Sequence, residues 1–104
     1  MSFSYSATGS HLIIAGRLDA QNAAELRQTL RDHVAANAGP VTVDLTDVPF
    51  MDSSALAALV AALKDCRRQG RALSLSGASV PVRELLSLTM LDRIFGLGAS
   101  GVRP

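Results

Sequence analysis

VTVDLTDVPFMDSSALAALVAALKDCRRQG, residues 41–70, changes its hydrophobic rhythm part-way along. Val41, Val43 and Leu45 alternate with Thr42 and Asp44, which predicts a strand with one buried face. After a loop holding Pro49, the residues Leu56, Leu59, Val60 and Leu63 recur at helical spacing. That run closes at Gly70, with Lys64, Arg67 and Arg68 in its last turns, where cations complement the helix dipole and glycine suits the exit. A strand feeding a helix through a short loop is half of a crossover unit, so the flanking elements decide the architecture.

Toward the N-terminus, Phe3, Tyr5 and Ala7 alternate with Ser2, Ser4 and Ser6, predicting a strand covered on one face only. Thr8-Gly9-Ser10 reads as a turn, and His11 to Ala15 as a second strand paired with the first in an antiparallel hairpin. Gly16-Arg17-Leu18-Asp19 breaks the pattern. From Ala20 the apolar positions Ala23, Leu26, Leu30 and Val34 describe a helix, with Asp19 as its N-cap, and Gly39-Pro40 ends the connection. Toward the C-terminus, Leu73 and Leu75 mark a fourth strand, and Ser79 to Leu88 a third helix with Pro81 in its first turn. The order β-β-α-β-α-β-α predicts one α/β domain over residues 1–96, with a mixed sheet of four to five strands and helices packed mainly on one face. Residues 97–104 lack periodicity and are expected to form a flexible tail.

Composition narrows the function. The chain has 104 residues, 48% of them hydrophobic and 18% charged, enough apolar surface for a core and too much for disorder. Ten Lys and Arg against nine Asp and Glu leave a formal net charge of +1, so there is no strong field to gather nucleic acid or anionic lipid. With no tryptophan and 4% aromatic residues, platforms for stacking single-stranded bases are scarce. The single Cys66 cannot form an internal disulfide and reads as a buried or half-buried thiol in a reducing compartment. No basic start precedes an apolar run, and no stretch approaches the roughly 18 apolar residues of a membrane span. A soluble, cytoplasmic protein is expected.

Chemistry concentrates at Asp52-Ser53-Ser54. With Asp52 as N-cap, the two serines occupy the first helical positions, where N–H groups lack partners and the dipole end is positive. Capping accounts for Asp52 and one serine; Ser54 is expected to point away from the Leu56/Leu59/Val60/Leu63 face. A serine nucleophile would need an oriented histidine, and His11 opens a strand while His33 falls in the last turn of the first helix, where a solvated or dipole-facing imidazole is the ordinary explanation. The G-x-S-x-G elbow is absent. One cysteine and two separated histidines make no metal site, and no glycine-rich loop joins a strand to a helix, so neither catalysis, metal nor cofactor is indicated.

The stretch from Val41 to Phe95 resembles a STAS domain, in particular the free-standing anti-sigma factor antagonists of bacteria. Val43-Asp44-Leu45 followed by Asp52-Ser53-Ser54-Ala55-Leu56-Ala57 is similar to the family's V-x-V-D-L strand and its D-S-[ST]-G-[LV]-G helix start. Gly16-Arg17-Leu18-Asp19 is similar to its G-x-[LIV]-D, and Val80-Pro81-Val82-Arg83 with Leu91 to Phe95 to its final helix and end. The resemblance implies a partner-switching regulator without enzymatic activity. Such a protein binds an anti-sigma factor that is itself a serine kinase, frees a sigma factor, loses its hold when a motif serine is phosphorylated, and regains it through a serine phosphatase. Ser54 is the implied phosphorylation site, with Ser53 the alternate. The implied partner surface takes in Asp19, Asn22, Met51, Asp52, Ser53 and Ala55, with Met51 equally explained by core packing. A weak homodimer is left open, and neither direct nucleic-acid contact nor a membrane span is expected. Ala55 and Ala57 stand where the family usually has glycine. The alternative reading is a non-phosphorylated STAS binding subunit of an ABC-type lipid transport system or of a signalling complex.

Overall fold

Alternation at residues 41–47 becomes one of the two inner strands of the sheet. The computed structural model describes residues 3–96, so Ser2 and the tail expected at 97–104 lie outside the described residues. Its elements are β1 (Ser4–Thr8), β2 (His11–Ala15), α1 (Ala23–Ala35), β3 (Val41–Asp47), α2 (Ser53–Arg68), β4 (Leu73–Ala78) and α3 (Val80–Leu88). The sheet order is β1-β2-β3-β4. β1 pairs antiparallel with β2, whereas β2 with β3 and β3 with β4 are parallel pairs. The predicted hairpin and crossovers thus meet in one mixed sheet of four strands.

Each parallel strand buries alternate residues: Leu12 and Ile14, then Val41, Val43 and Leu45, then Leu73 and Leu75. Between them, Ile13, Thr42, Asp44, Ser74 and Ser76 turn to the opposite face and stay exposed or half-buried. Leu26, Leu30 and Val34 of α1, Leu56, Leu59 and Leu63 of α2, and Val82 and Leu86 of α3 join the same core. The helices therefore cover one face of the sheet and leave the other open. Leu59 is wholly buried, and truncating such a leucine to alanine costs about 2–5 kcal/mol. Cys66, on the same helix, is also buried, and desolvation pushes its thiol pKa up.

Three local expectations are corrected. All five residues of β1 are exposed, Tyr5 at 59%, and only Phe3 of the Phe3/Tyr5/Ala7 set is buried. Tyr5 pairs with Ile14 and Ala7 with Leu12, so both do turn toward the helix side, but β1 is the sheet's edge and extends past the helical layer. Phe3 is held instead at Gly16, whose φ of +112° and approach to the Phe3 backbone, 3.3 Å from an added Cβ to Cα, admit no side chain. The second correction is at the start of α1, which is Ala23 rather than Ala20, and its N-cap is Asn22 rather than Asp19. Asp19 heads a turn, its Oδ1 accepting from the Gln21 N–H at 3.0 Å. Asn22 makes no side-chain cap because its amide is committed elsewhere: Oδ1 accepts from the Asp19 N–H at 2.9 Å, and Nδ2 donates to the Arg17 carbonyl at 2.8 Å. Third, His33 is buried, and its Nε2–H donates to the Ser10 carbonyl at 2.9 Å, pinning the hairpin turn to the end of α1.

Candidate functional site

Parallel strands end on one edge of a sheet, and the loops leaving β2, β3 and β4 gather at that edge, the usual place for recognition in such folds. Here they are stitched together by backbone bonds. The Gly16 N–H donates to the Asp47 carbonyl at 3.1 Å, Leu18 N–H to Phe50 at 3.0 Å, and Asp52 N–H back to Leu18 at 3.2 Å. Leu18 and Met51 form an isolated parallel bridge. The third loop joins through Ser79, whose N–H donates to Leu45 O at 3.2 Å and whose hydroxyl donates to Val48 O.

Asp52 is the hinge-pin of this edge. One carboxylate oxygen accepts from the N–H groups of Ser54 at 2.9 Å and Ala55 at 3.1 Å, capping α2. Its other oxygen accepts from the Ala20 N–H at 3.1 Å, reaching into the loop before α1. A single side chain therefore ties the start of α2 to the Asp19–Asn22 turn, and capping needs neither serine. Ser53 is exposed and Ser54 half-buried, and neither hydroxyl hydrogen-bonds to another described residue.

Of the remaining site residues, Asp19 and Asn22 sit on the adjoining turn, with Asp19 Oδ2 also accepting from Arg17 Nε at 3.2 Å. Met51 and Ala55 are different. Met51 is 6% exposed and Ala55 fully buried, both within the core, so neither side chain faces a partner in this conformation. The Leu18 bridge turns Met51 inward, and the third position of a helix lying on a sheet turns Ala55 the same way. The apolar contribution at this edge comes from Phe50, 38% exposed, with the Arg17 guanidinium 4.2 Å over its ring. Val80, 66% exposed, begins α3 on the same edge. Sequence reasoning missed this Arg17/Phe50 pair because nothing in either loop shows that backbone bonding brings residues 17 and 50 together. The G-x-[LIV]-D resemblance marked the loop of Arg17 but not its side chain.

An open groove of about 520 Å³ runs from Ser53 along α2, lined by Leu56, Val60, Arg27, Lys64 and Arg68. Its cations are partly matched by Asp65, which is paired with Arg68. Among the described residues, no group of His, Cys, Asp and Glu could hold a metal ion. His11 and His33 lie at the opposite end of the sheet, beside Thr42 and Ser10, so the strands separate both imidazoles from the serines. No helix among the described residues is long and apolar enough to cross a membrane.

A family model described as Mlab, STAS domain, matches residues 1–98. Against curated proteins, the chain is 33% identical over 86 residues to the anti-sigma-B factor antagonist of Bacillus subtilis, a match covering 83% of this chain and 78% of that protein. It is 31% identical over 83 residues to the anti-sigma-B factor antagonist of Listeria monocytogenes, covering 80% and 73%. In fold it matches the crystal structure of an anti-sigma factor antagonist from Mycobacterium paratuberculosis, with a TM-score of 0.75 over 91% of this chain and 82% of that one, at 22% identity.

Proposed function

The chain belongs to the STAS domain family, among the anti-sigma factor antagonists, and from that premise we propose that it binds a kinase-type anti-sigma factor, frees a sigma factor, and is switched off by phosphorylation of a serine at the start of α2. Ser54 is the first choice and Ser53 the alternate. The observation that supports this best is the division of labour at Asp52-Ser53-Ser54: the aspartate alone caps the helix and joins the two loops, leaving both hydroxyls unengaged among the described residues.

Docking buries a neutral hydroxyl at the edge formed by the Asp19–Asn22 turn, Phe50 and the start of α2. The partner brings ATP: the serine oxygen takes the γ-phosphoryl group as the bond to ADP breaks, the hydroxyl proton passes to the partner's base, and ADP leaves with the partner. Afterwards the serine carries about −1.5 to −2 charges and three acceptor oxygens. The fold tolerates this, since it sits at the positive end of α2. The complex does not, because any carboxylate of the partner is now repelled and close contact is blocked. A penalty of 3–4 kcal/mol, about a few-hundredfold in affinity, suffices to exchange partners. A serine phosphatase returns the surface to its binding form.

Calorimetric titration with a kinase-type anti-sigma factor tests the reading. Ser54→Ala binds like the wild type, whereas Ser54→Asp weakens binding by about tenfold or more. Equal affinity for all three forms overturns it.

Two observations favour a second reading, a non-phosphorylated binding subunit of an ABC-type lipid transport system. The matching family model carries the Mlab description, and alanines stand at 55 and 57 where the resembling motif has glycine. That subunit co-purifies with a transporter ATPase and is indifferent to Ser54→Asp.

A further inference from the structure

The two edges of the sheet are unlike. On the β4 side, the Leu75 N–H donates to the Phe95 carbonyl at 2.8 Å, so the turn before Gly96 closes part of that edge. On the β1 side, nothing among the described residues pairs with the outer side of the strand. We propose that β1 is a self-association edge, at which two copies join antiparallel about a two-fold axis through Ser6 and extend one four-stranded sheet into the next.

The register follows from the hairpin. Thr8 and His11 flank a two-residue turn whose first residue, Gly9, takes φ +60°, and they are paired, as are Ser6 with Ile13 and Ser4 with Ala15. Residues flanking such a turn exchange both backbone bonds, so the N–H and C=O groups of Ser4, Ser6 and Thr8 point inward to β2. The Thr42 N–H donating to Ser10 O at 2.9 Å fixes the same parity from the other side, since it places Ser10 and Leu12 toward β3 and His11 and Ile13 toward β1. Tyr5 and Ala7 are left with backbone groups pointing outward, into solvent.

An antiparallel copy centred on Ser6 sets Tyr5 opposite Ala7 of the second copy, and Ala7 opposite its Tyr5. Both are hydrogen-bonded pairs, so the outward N–H and C=O groups of Tyr5 and Ala7 are satisfied reciprocally, and Ser6 faces its own copy in a non-hydrogen-bonded pair. The side chains agree with this register. Exposed Tyr5 meets the small Ala7, next to Gly9, above an apolar groove of about 340 Å³ between β1 and α1. Asp32 and Asn37 on the groove's far wall offer acceptors for a phenol hydroxyl.

Two of the devices that normally keep edge strands apart are missing, charge or proline on the strand and a bulge in its ladder. Residues 1–10 contain no Asp, Glu, Lys, Arg or Pro. The β1–β2 ladder runs in unbroken register, whereas both parallel ladders shift register once. An uncharged, regular strand whose free groups match their own two-fold copy selects a second copy of this chain as its occupant. Five residues a side, Ser4–Thr8, make a small contact, so the association is weak and concentration-dependent. Tyr5, Ser6 and Ala7 are none of the residues assigned to the anti-sigma factor, so this edge and the serine switch stand or fall separately.

Sedimentation velocity from about 10 μM to about 1 mM gives, for the wild type, a weight-average mass rising above 10.9 kDa toward twice that value. Tyr5→Lys and Ala7→Pro stay monomeric over the same range while keeping the wild-type far-UV circular dichroism; the N–H that proline removes at Ala7 is one that β2 does not use. A covalent trap reports on register independently of any loss of stability. With oxidised glutathione as oxidant, Ser6→Cys forms a disulfide dimer, because the pair on the axis has Cα atoms about 4.5 Å apart. Ser4→Cys does not, because its nearest cross-axis neighbour is Thr8. A mass fixed at the monomer value throughout, a dimer that survives Tyr5→Lys, or equal cross-linking at positions 4 and 6 overturns the proposal.

Discussion

At the scale of the residue, Asp52 does the most. Asp52→Ala removes the acceptor for the Ser54, Ala55 and Ala20 N–H groups at once and is expected to cost about 1–2 kcal/mol, read as a lower urea midpoint at unchanged m-value. Asp52→Asn keeps an oxygen for the cap and loses less. Cys66 resists alkylation in the native protein, since burial both shields the thiol and raises its pKa, and reacts at the free-thiol rate once urea unfolds the chain. Asp44 shows the opposite shift: the hydroxyl and N–H of Thr46 hydrogen-bond its carboxylate and hold its pKa below the ordinary value. A depressed carboxylate contributes stability that is present above the unfolded pKa and is lost as the pH falls below about 4. Thermal scans across that range should therefore show a shallower acid loss in Asp44→Asn. The capping aspartate was legible from residue type alone, whereas the share in capping expected of one serine is not seen, because the Asp52 carboxylate takes both N–H groups. The burial of Met51 and Ala55 was not legible, because a bridge from Leu18, far away in sequence, and the roll of α2 on the sheet decide it.

At the scale of the element, α2 was the most legible, since its apolar face, its N-cap and its basic end agree with one another. The start of α1 was misplaced because Asp19 is equally good at heading a turn and at capping a helix, and only the committed amide of Asn22 separates the two. β1 carries the alternation of a half-buried strand yet is uncovered, since period reports which way side chains turn, not whether a helix reaches over them. The open sheet face has its own constraint at Gly77, where an added Cβ would meet Thr46 Oγ1 and come within 2.9 Å of Asp44 Oδ1. Gly77→Ala is expected to destabilise by about 1–3 kcal/mol, measured by urea unfolding, and Asp44→Asn together with Thr46→Ser should not rescue it fully because the contact remains. Ala57 is exposed on α2, so Ala57→Gly, which restores the family's residue, should cost about 1 kcal/mol by the same measurement.

At the scale of the whole molecule, the sheet divides the protein's work by edge. The carboxyl ends of the parallel strands carry Asp52, both serines, Phe50 and Arg17, while among the described residues nothing pairs with the outer side of β1, the edge proposed for a second copy. The order of elements and the mixed sheet follow from period changes along the chain, and the placement of the 19–22 turn beside Asp52 follows from β2 and β3 being parallel neighbours. The central claim is a phosphoryl switch at the start of α2, and intact-mass spectrometry after incubation with ATP and a kinase-type anti-sigma factor that binds the chain tests it most directly. The account predicts a gain of one phosphoryl group on the wild type and on Ser53→Ala, and none on Ser54→Ala; no gain on any form, or an undiminished gain on Ser54→Ala, would contradict it.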